Sequence, residues 1–423
     1  MGVMPARSLT SADREALAAR LLEVRRSTEQ LCEPLVTDDY LLQSMPDCSP
    51  PKWHLAHTTW FFETFILAPF EPNYRPHHSL FSFLFNSYYE AVGERWPRPA
   101  RGLLSRPTVE EVFCYRKRVT ERMTTLFQEA NVATWEAILP VLDLGINHEQ
   151  QHQELLLTDL KHAFGLNPLL PAYQSGTISG GGVDTSLRWE EYPAEIRWIG
   201  HMGSEFAFDN ESPRNRVFVE SFRIASRLVT AGEYLAFVDD GGYDRPEFWL
   251  SDGWAAQKQK GWAAPLYWNL ADQTLFTLRG PQPLDPREPV CHISYYEADA
   301  FARWAGARLP TEVEWETAAS GREVAGNFLD SGRLHPAPDA GGGQFFGDVW
   351  EWTASPYTPY PGYRPVAGAL GEYNGKFMCN QMVLRGGSCV TPRGHVRPTY
   401  RNFFPPDARW QFSGLRLAKD GPA

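Results

Sequence analysis

Two stretches in the first half of the chain decide the fold: residues 49–67, SPPKWHLAHTTWFFETFIL, and residues 147–162, NHEQQHQELLLTDLKH. In the second stretch, His148 and His152 are four residues apart. That spacing places both imidazoles on one face of a helix, about one turn apart. The first stretch carries two histidines of its own. Because helical bundles build metal sites from side chains on facing helices, the two stretches together predict a metal centre.

The sequence around these histidines predicts a helical first half, from residue 12 to about residue 165. The segment ADREALAARLLEVRRSTEQL, which begins at Ala12, has apolar residues at helical spacing and predicts an amphipathic helix. A second helix is predicted to begin with Ser49 as its N-cap, because prolines follow in the first turn. This second helix contains the first histidine stretch.

Two further helices complete the predicted first half. Thr108, followed three residues later by Glu111, has the pattern of a capping box and predicts a helix start. A fourth helical stretch is predicted from Ala133 to about Phe164, with Pro140 separating a short lead-in from the long final helix. Four helices around one core predict a four-helix bundle.

The second half of the chain has a different composition, with aromatic residues beside many glycines and prolines. The segment NPLLPAYQSGTISGGGVD shows neither helical nor strand periodicity and predicts a linker. We therefore expect a helical domain over residues 1–170, a linker over 171–190 and a second domain over 191–423. Capping-box pairs between short β-type segments predict a mixed α+β fold for the second domain. The helix starts predicted there are Thr230 with Glu233, Ser294 with Glu297, and Thr311 with Glu314.

The composition argues against several classes of protein. The 423 residues include 40 Lys and Arg against 51 Asp and Glu, a net charge of -11, so we expect no nucleic-acid partner. The six cysteines form no CxxC pair, which argues against a disulfide scaffold or a cysteine-based zinc site. No stretch reaches the roughly 18 apolar residues of a membrane span. We expect a cytoplasmic protein, with its oligomeric state left open.

The segment HEQQH, residues 148–152, also matches the HExxH signature of zinc proteases, with Glu149 as the general base. A metzincin needs a third histidine six residues after the second, and that position is Thr158. We therefore expect the third ligand from the upstream stretch, where His54 and His57 are the candidates. Three neutral imidazoles suit iron and zinc about equally, so a zinc-dependent hydrolase stays as an alternative.

The two histidine stretches resemble the DinB-like bundle of the ergothioneine-biosynthetic sulfoxide synthases of the EgtB type. In the second half, ARLPTEVEWETAA, GDVWEWTASPY and VLRGGSCVTP resemble the formylglycine-generating-enzyme fold, a C-type-lectin-like α+β domain. The resemblance covers nearly the whole chain, in the domain order of these synthases. It implies a two-domain α+β protein, with a DinB-like four-helix bundle followed by a C-type-lectin-like domain.

The resemblance also implies an activity and a ligand set. The activity is that of a non-haem iron(II), O2-dependent sulfoxide synthase that couples N-alpha-trimethylhistidine (hercynine) to cysteine or γ-glutamylcysteine. By this likeness the Fe(II) ligands are His57, His148 and His152, with His54 as the weaker candidate. Gln151 matches the glutamine that holds the imidazole of hercynine. A DinB-like bundle that acts only as a metal-dependent thiol transferase is a second alternative.

Further site residues follow from the same resemblance. The segment TYRNFFPPDARWQFSGLRLA is similar to the hercynine-binding stretch of the family. The likeness implies that Asn402 contacts the carboxylate region, while Phe403 and Phe404 surround the trimethylammonium group, which aromatic faces attract. Arg98 and Arg101 have an RxxR spacing similar to the family's contacts with the carboxylates of the thiol substrate.

Sulfoxide formation also needs an acid that delivers a proton once oxygen is reduced. Tyr88 and Tyr89 lie in the loop between the second and third predicted helices, which can reach the metal face of a bundle. In better-known members of the family this tyrosine comes from the C-terminal domain. Tyr373 lies in the matching region here but is no convincing counterpart. We therefore predict that this protein takes its acid from the bundle loop.

Overall fold

The chain folds into two compact units, Met1–Leu160 and Lys161–Ala423. The first is helical, and the second mixes helices with short strands. The middle of the predicted linker, residues 179–184, lies outside the described residues. The structure is a computed structural model that describes residues 10–178, 185–366 and 368–422.

Long helices dominate the described part of the first unit. In chain order they and the shorter helices are α1 (Ser11–Gln30), α2 (Pro51–Phe62), α3 (Ala68–Phe70), α4 (Phe81–Phe85), α5 (Val109–Glu129) and α6 (Val132–Leu166). A π-helical segment, Glu63–Leu67, joins α2 to α3 without a break. Helices α1, α2, α5 and α6 are the long ones, as the bundle prediction requires.

The helix starts confirm one prediction and correct another. Thr108 and Glu111 form the predicted capping box at the start of α5, with the Glu111 N–H 3.2 Å from the Thr108 hydroxyl. At α2, however, the N-cap is Pro50 and not Ser49. The Ser49 N–H donates to Asp159 Oδ2 at 2.8 Å. The Ser49 hydroxyl, which would have to cap the helix, accepts from Arg101 at 2.8 Å instead, so α2 begins one residue later than predicted.

Pro140 does not interrupt the last helix of the bundle, contrary to the prediction. It lies inside α6, which is one helix of 35 residues. Proline lacks an N–H, so the carbonyl of Glu136 loses its helical partner. Both residues are exposed, so water can take the place of the missing donor. Helix α6 therefore carries the HEQQH segment on one continuous scaffold.

The described part of the second unit contains short strands in small sheets. The strands are β1 (Trp189–Tyr192), β2 (Glu195–Ile199), β3 (Asn215–Val219), β4 (Phe222–Ala225), β5 (Trp268–Asn269), β6 (Thr274–Thr277), β7 (Gly280–Pro283), β8 (Trp350–Pro356), β9 (Met382–Arg385), β10 (Asn402–Phe404), β11 (Ser413–Gly414) and β12 (Ala418–Asp420). They pair in the orders β1-β4-β12, β2-β3, β5-β6-β7 and β10-β9-β8-β11. In the last sheet β8 is antiparallel to β9 and parallel to β11.

The α-helices described in the second unit begin, with one exception, where the capping-box patterns predict. They are α7 (Ala231–Asp239), α8 (Ser251–Lys260), α9 (Tyr295–Trp304) and α10 (Glu312–Ala319). All three predicted capping boxes are present, at α7, α9 and α10. The core holds large buried rings, among them Trp315, Trp350 and Trp352. Within the described residues, no helix combines the length and the apolar character that a membrane span needs.

Candidate metal centre

Three histidines of the bundle converge on one point. His57 comes from α2, while His148 and His152 come from α6. One ligand atom from each ring lies within 4.8 Å of the other two, among the residues that the structure describes. The Nε2 atoms of His57 and His148 are 3.2 Å apart. The predicted i,i+4 pair and one upstream histidine therefore meet in a geometry that can hold a single ion.

The ring of His57 is fixed by its surroundings. Its Nδ1 donates to the carbonyl oxygen of Phe85 at 2.6 Å, which leaves Nε2 with its lone pair. The imidazole also stacks on Trp53, with ring centroids 4.5 Å apart, and on Trp60. Because the rotamer and the tautomer are both set by contacts outside the cluster, Nε2 points toward His148 before any ion binds.

The histidines of the cluster are buried as neutral bases. Burial, the largest cause, lowers the pKa of His148 to about 3. Burial and the neighbouring His148 also place the pKa values of His57 and His152 well below the usual histidine value. Neutral imidazoles keep a lone pair for coordination at physiological pH, so the donor set fits a transition-metal ion.

His54 is close to this cluster but outside the group of three. Its Nδ1 lies 2.8 Å from His152 Nδ1, and its Nε2 lies 3.2 Å from Asp159 Oδ2. The side chain therefore contacts one of the candidate ligands without joining them.

Glu149, the general base of the alternative hydrolase, points away from the histidines. Its carboxylate forms ion pairs with Arg25 on α1, at 3.1 Å, and with Arg116 on α5. The Thr28 hydroxyl donates to the same carboxylate at 2.8 Å. Burial alone would raise the pKa of Glu149, but Arg116 and Arg25 hold it below the usual range. A carboxylate held by two guanidinium groups is a poor proton acceptor, so the geometry gives no support to the hydrolase.

The predicted arginine pair diverges in the structure. Arg98 and Arg101 lie on one 3-10 helix, Arg98–Leu103, but Arg98 is exposed and donates to the carbonyl of Asp47. Arg101 is buried, with its guanidinium 3.4 Å from the centroid of the Trp53 ring. Among the residues described, no carboxylate forms an ion pair with Arg101. The structure thus places only Arg101 beside a ring that stacks on His57.

Arg101 is held by neutral groups. Its two terminal nitrogens donate to the hydroxyls of Ser49, at 2.8 Å, and Ser87, at 3.1 Å. Burial, the largest cause, lowers its pKa well below the usual value for arginine. A buried cation with hydroxyl partners is suited to receive an anionic group of a ligand.

Tyr88 and Tyr89 lie next to the aromatic wall of the cluster. Their rings stack on each other with centroids 4.6 Å apart, and Tyr89 is fully buried. Tyr89 also contacts Trp60 and Phe61, at 5.7 and 6.4 Å between ring centroids. Trp60 stacks on His57, and the Phe61 ring is 4.8 Å from His148. The tyrosine pair is therefore one aromatic ring removed from two of the candidate ligands.

The remaining predicted residues lie on two separate elements. Gln151 is a half-buried residue of α6, next to His152 in the chain. Asn402, Phe403 and Phe404 form β10. Successive strand residues point to opposite faces, so the two phenyl rings do not face the same side.

The phenyl rings of β10 have different neighbours. The Phe403 ring stacks on Tyr357 at 4.1 Å, whereas Phe404 meets Trp410 edge to face at 5.7 Å. Phe404 and Trp410 are each half-buried. The alternation of the strand therefore leaves Asn402 and Phe404 on one face, with Phe403 packed on the other.

Comparison with known proteins assigns both units and the family. The profile of the DinB superfamily matches residues 20–156, and that of the sulfatase-modifying factor enzyme 1-like domain matches residues 199–344 and 331–421. The chain is 34% identical to the hercynine oxygenase of Mycolicibacterium thermoresistibile, over 96% of this chain and 95% of the relative. The chain belongs to the hercynine oxygenase family.

Other relatives agree with this assignment. The hercynine oxygenase of Mycobacterium tuberculosis is 32% identical over 96% of this chain and 99% of its own length. The ergothioneine biosynthesis protein 1 of Schizosaccharomyces pombe is 28% identical over 51% of this chain and 28% of its own length. The resemblance inferred from the histidine stretches, a DinB-like helical domain followed by a formylglycine-generating-enzyme-like α+β domain, is thereby confirmed.

The sequence did not predict several of the residues that surround the histidine cluster. The Phe85 carbonyl and the Trp53 ring, which orient His57, are fixed by packing that no short motif encodes. Asp159 did leave a signal, because it follows His152 by seven residues, two helical turns on the same face. The segment between them, QELLLT, contains three consecutive leucines, which interrupt the polar pattern.

The burial of Glu149 gives a first prediction. Replacing Glu149 by Gln leaves Arg25 and Arg116 without their common counter-charge, so we expect the free energy of unfolding at neutral pH to fall by about 3–5 kcal/mol. Denaturation in urea measures this, with the exposed Glu136→Gln on the same helix as the matched control. A hydrolytic role for Glu149 predicts the opposite pattern, a stable protein that has lost peptidase activity.

The same variant should change the acid sensitivity of folding. The native pKa of Glu149 lies below its usual value, so its contribution to stability is complete above about pH 4.3 and is lost as the pH falls through the native pKa. We therefore expect the stability difference between the wild type and Glu149→Gln to shrink as the pH is lowered below the pKa of a free glutamate. A difference that stays constant as the pH falls below the pKa of a free glutamate would show that the charge of Glu149 is not its cause.

Proposed function

We propose that this protein is an iron(II)- and O2-dependent sulfoxide synthase that joins hercynine to a cysteine-type thiol. The observation that carries the proposal is the convergence of His57, His148 and His152 in a chain that matches hercynine oxygenases over 96% of its length. Those relatives are named as hercynine oxygenases. The histidine cluster supports an oxygenase because its three donors leave other coordination positions to the reactants.

The donor set fits Fe(II), and the bound ion would be held by the three imidazoles. When bound, iron(II) supplies a Lewis acid for the thiol and a redox centre for O2. The histidines bring no negative charge, so the ion's positive charge acts in full on an incoming thiol. Burial of the three rings keeps them neutral and keeps bulk water from competing for the site.

The overall reaction balances without an external reductant. The C2–H bond of the hercynine imidazole and the S–H bond of the thiol are broken, while a C–S bond and an S–O bond are formed. These changes remove four electrons from the two substrates, and O2 accepts four. One oxygen atom remains on sulfur, and the other leaves as water with the two protons. The protein must therefore hold both substrates and deliver protons at the right atom.

Arg101 is the residue we propose for binding the carboxylate of the thiol substrate. Its guanidinium is buried, held by two serine hydroxyls, and stacked on the Trp53 ring beside His57. A planar guanidinium recognises a carboxylate through two parallel hydrogen bonds. Arg98 is exposed and is proposed only as an outer contact for a second carboxylate.

Residues of β10 and α6 are proposed to bind hercynine. Phe404 and Trp410 form an open aromatic corner, and aromatic faces attract a quaternary ammonium by about 1–2 kcal/mol. Asn402 lies on the same face of β10 and can donate its amide to a carboxylate. Gln151 is proposed as the partner of the hercynine imidazole. Phe403, which stacks on Tyr357, is proposed to support this wall from behind.

Tyr88 and Tyr89 are proposed as the proton donors. Tyr89 is held between Phe65, Trp60 and the ring of Tyr88, which limits its motion. Two stacked phenols one ring away from the histidine cluster are suited to pass a proton inward, with Tyr88 on the more exposed side. The pair is assigned together because the geometry favours neither ring alone.

The test of the proposed function is product analysis. The protein is loaded with Fe(II) without oxygen, then given air, hercynine and either cysteine or γ-glutamylcysteine, and the products are identified by mass spectrometry. We expect a sulfoxide-bridged product, with O2 uptake that needs both substrates. Peptide hydrolysis by zinc-loaded protein would favour the hydrolase, and thiol transfer without O2 uptake would favour the transferase.

Removing one candidate ligand should weaken metal binding and turnover together. We expect His148→Ala to lower iron retention after gel filtration and to reduce turnover by at least about 100-fold, more than the loss of an outer-shell partner causes. His162→Ala is the matched control, since it removes a histidine from the same helix outside the cluster. Undiminished activity in His148→Ala would exclude the metal assignment.

Replacing the tyrosines should change the product and not the affinity for iron. Without a proton donor, oxidation of the thiol to a sulfinic acid competes with C–S bond formation, so Tyr89→Phe or Tyr88→Phe should raise the ratio of sulfinic acid to sulfoxide. Tyr74→Phe, a half-buried tyrosine of the same unit, is the control. Wild-type product ratios in both test variants would place the acid elsewhere.

A further inference from the structure

We propose that His54 and Asp159 form a relay that fixes which nitrogen His152 offers to the metal and how its ring is oriented. The inference rests on the proposed metal centre and adds two positioning residues to it. His54 Nδ1 is 2.8 Å from His152 Nδ1, and His54 Nε2 is 3.2 Å from Asp159 Oδ2. All three side chains are buried, so these bonds are shielded from bulk water.

The Asp159 carboxylate determines which atom donates in each hydrogen bond of the relay. A carboxylate only accepts, and Asp159 Oδ2 already accepts the Ser49 N–H at 2.8 Å. His54 Nε2 therefore carries the hydrogen and donates to Asp159. A neutral imidazole with its hydrogen on Nε2 accepts at Nδ1, so His152 donates from its own Nδ1. The lone pair of His152 is then on Nε2.

This assignment agrees with the neighbouring ligands. His57 donates from Nδ1 to the Phe85 carbonyl, which leaves Nε2 for the ion. The Nε2 atoms of His57 and His148 face each other at 3.2 Å. With the relay in place, all three histidines offer Nε2. Two of the three rings are thus held from behind, one by a backbone carbonyl and one by a histidine and a carboxylate, which is how proteins orient metal-bound imidazoles.

The relay is built into the pairing of two helices. His152 and Asp159 are seven residues apart on α6, two turns along the same face, while His54 and His57 are three apart on α2. Asp159 also accepts from the backbone just before α2 begins. One carboxylate therefore fixes both the start of α2 and the ring of His54, and any shift of α2 along α6 would disturb the ligand geometry.

Two other roles for His54 fit the contacts less well. As a fourth ligand it would have to turn Nδ1 from His152 toward the ion, yet the group that can hold a metal among the described residues does not include it. As a packing residue alone it would contribute to stability but not to metal affinity. The relay differs from both because it predicts a loss of affinity that depends on Asp159.

The test measures metal binding and not turnover. Metal-free protein is titrated with cobalt(II) in competition with a chelator, and the visible ligand-field spectrum is recorded. His54→Phe keeps an aromatic ring but removes both nitrogens, so we expect cobalt affinity to fall about 10- to 100-fold with a changed spectrum. His54→Gln restores an acceptor for His152 and should recover part of the loss. Asp159→Asn should lower the affinity less than His54→Phe.

The double variant separates the relay from independent effects. The amide oxygen in Asp159→Asn can still accept the Ser49 N–H, so this variant tests only the bond to His54. Because His54 and Asp159 act in series, His54→Phe with Asp159→Asn should bind cobalt no more weakly than His54→Phe alone, whereas independent roles would add. His162→Phe is the control on the same helix, and urea denaturation of each metal-free variant checks that it is folded. Wild-type affinity in His54→Phe, or additive losses, would overturn the relay.

Cobalt binding by the wild type and by His148→Ala tests the proposed three-histidine metal centre separately from the relay. If wild-type protein binds cobalt and His148→Ala does not, the three-histidine centre stands whatever the relay variants do. If His148→Ala binds cobalt as tightly as the wild type, the proposed metal centre is wrong. The relay is then wrong as well, because it is proposed to orient a ligand of that centre.

Discussion

The packing of α2 against α6 is the constraint on which the rest of the site depends. The two helices bring His57 and His148 to 3.2 Å between their Nε2 atoms, a distance that neutral rings tolerate and charged rings would not. Desolvation keeps the imidazoles neutral, and the aromatic rings of Trp53, Trp60 and Phe61 provide that desolvation. The same apolar contacts that stabilise the bundle therefore prepare the donor atoms for a cation.

Charged side chains that are buried in a helical bundle need partners of opposite charge or hydrogen-bond donors. Helix α6 meets this need with two buried polar faces. One carries the neutral histidines, and the other carries Glu149, which pairs with Arg25 and Arg116. Glu63 of the neighbouring helical segment is likewise held by the Tyr115 hydroxyl and by Arg122. Glu149 and Glu63 thus have cationic or hydroxyl partners, while Asp159 accepts from His54 and from the Ser49 N–H.

The sequence predicted what short-range chemistry determines. Helix starts predicted from capping boxes, such as Thr108 with Glu111, are confirmed. They were predictable because each box joins residues only three apart in the sequence. The i,i+4 histidines were correctly placed on one helix for the same reason. Predictions failed where the surroundings in the fold decided. The Ser49 hydroxyl accepts from Arg101 and so does not cap α2, and Pro140 lies on an exposed face where water can replace the missing donor. The divergence of Arg98 and Arg101 depends on tertiary packing that the RxxR spacing does not encode.

Charge also accounts for the choice of neutral ligands. Three imidazoles leave the charge of a divalent ion uncompensated, and Arg101 adds a second buried cation that lacks a carboxylate partner among the residues described. Burying two such charges is costly unless anionic groups arrive with the substrate. Under the proposed function, a substrate with a thiol and a carboxylate would supply both, because the thiol would ionise at a bound ion and the carboxylate would pair with the guanidinium. Under the proposed function, the affinity for a small amino-acid thiol would come from the uncompensated positive charge of Arg101 and of a bound ion, and a carboxylate ligand in place of one histidine would weaken that attraction.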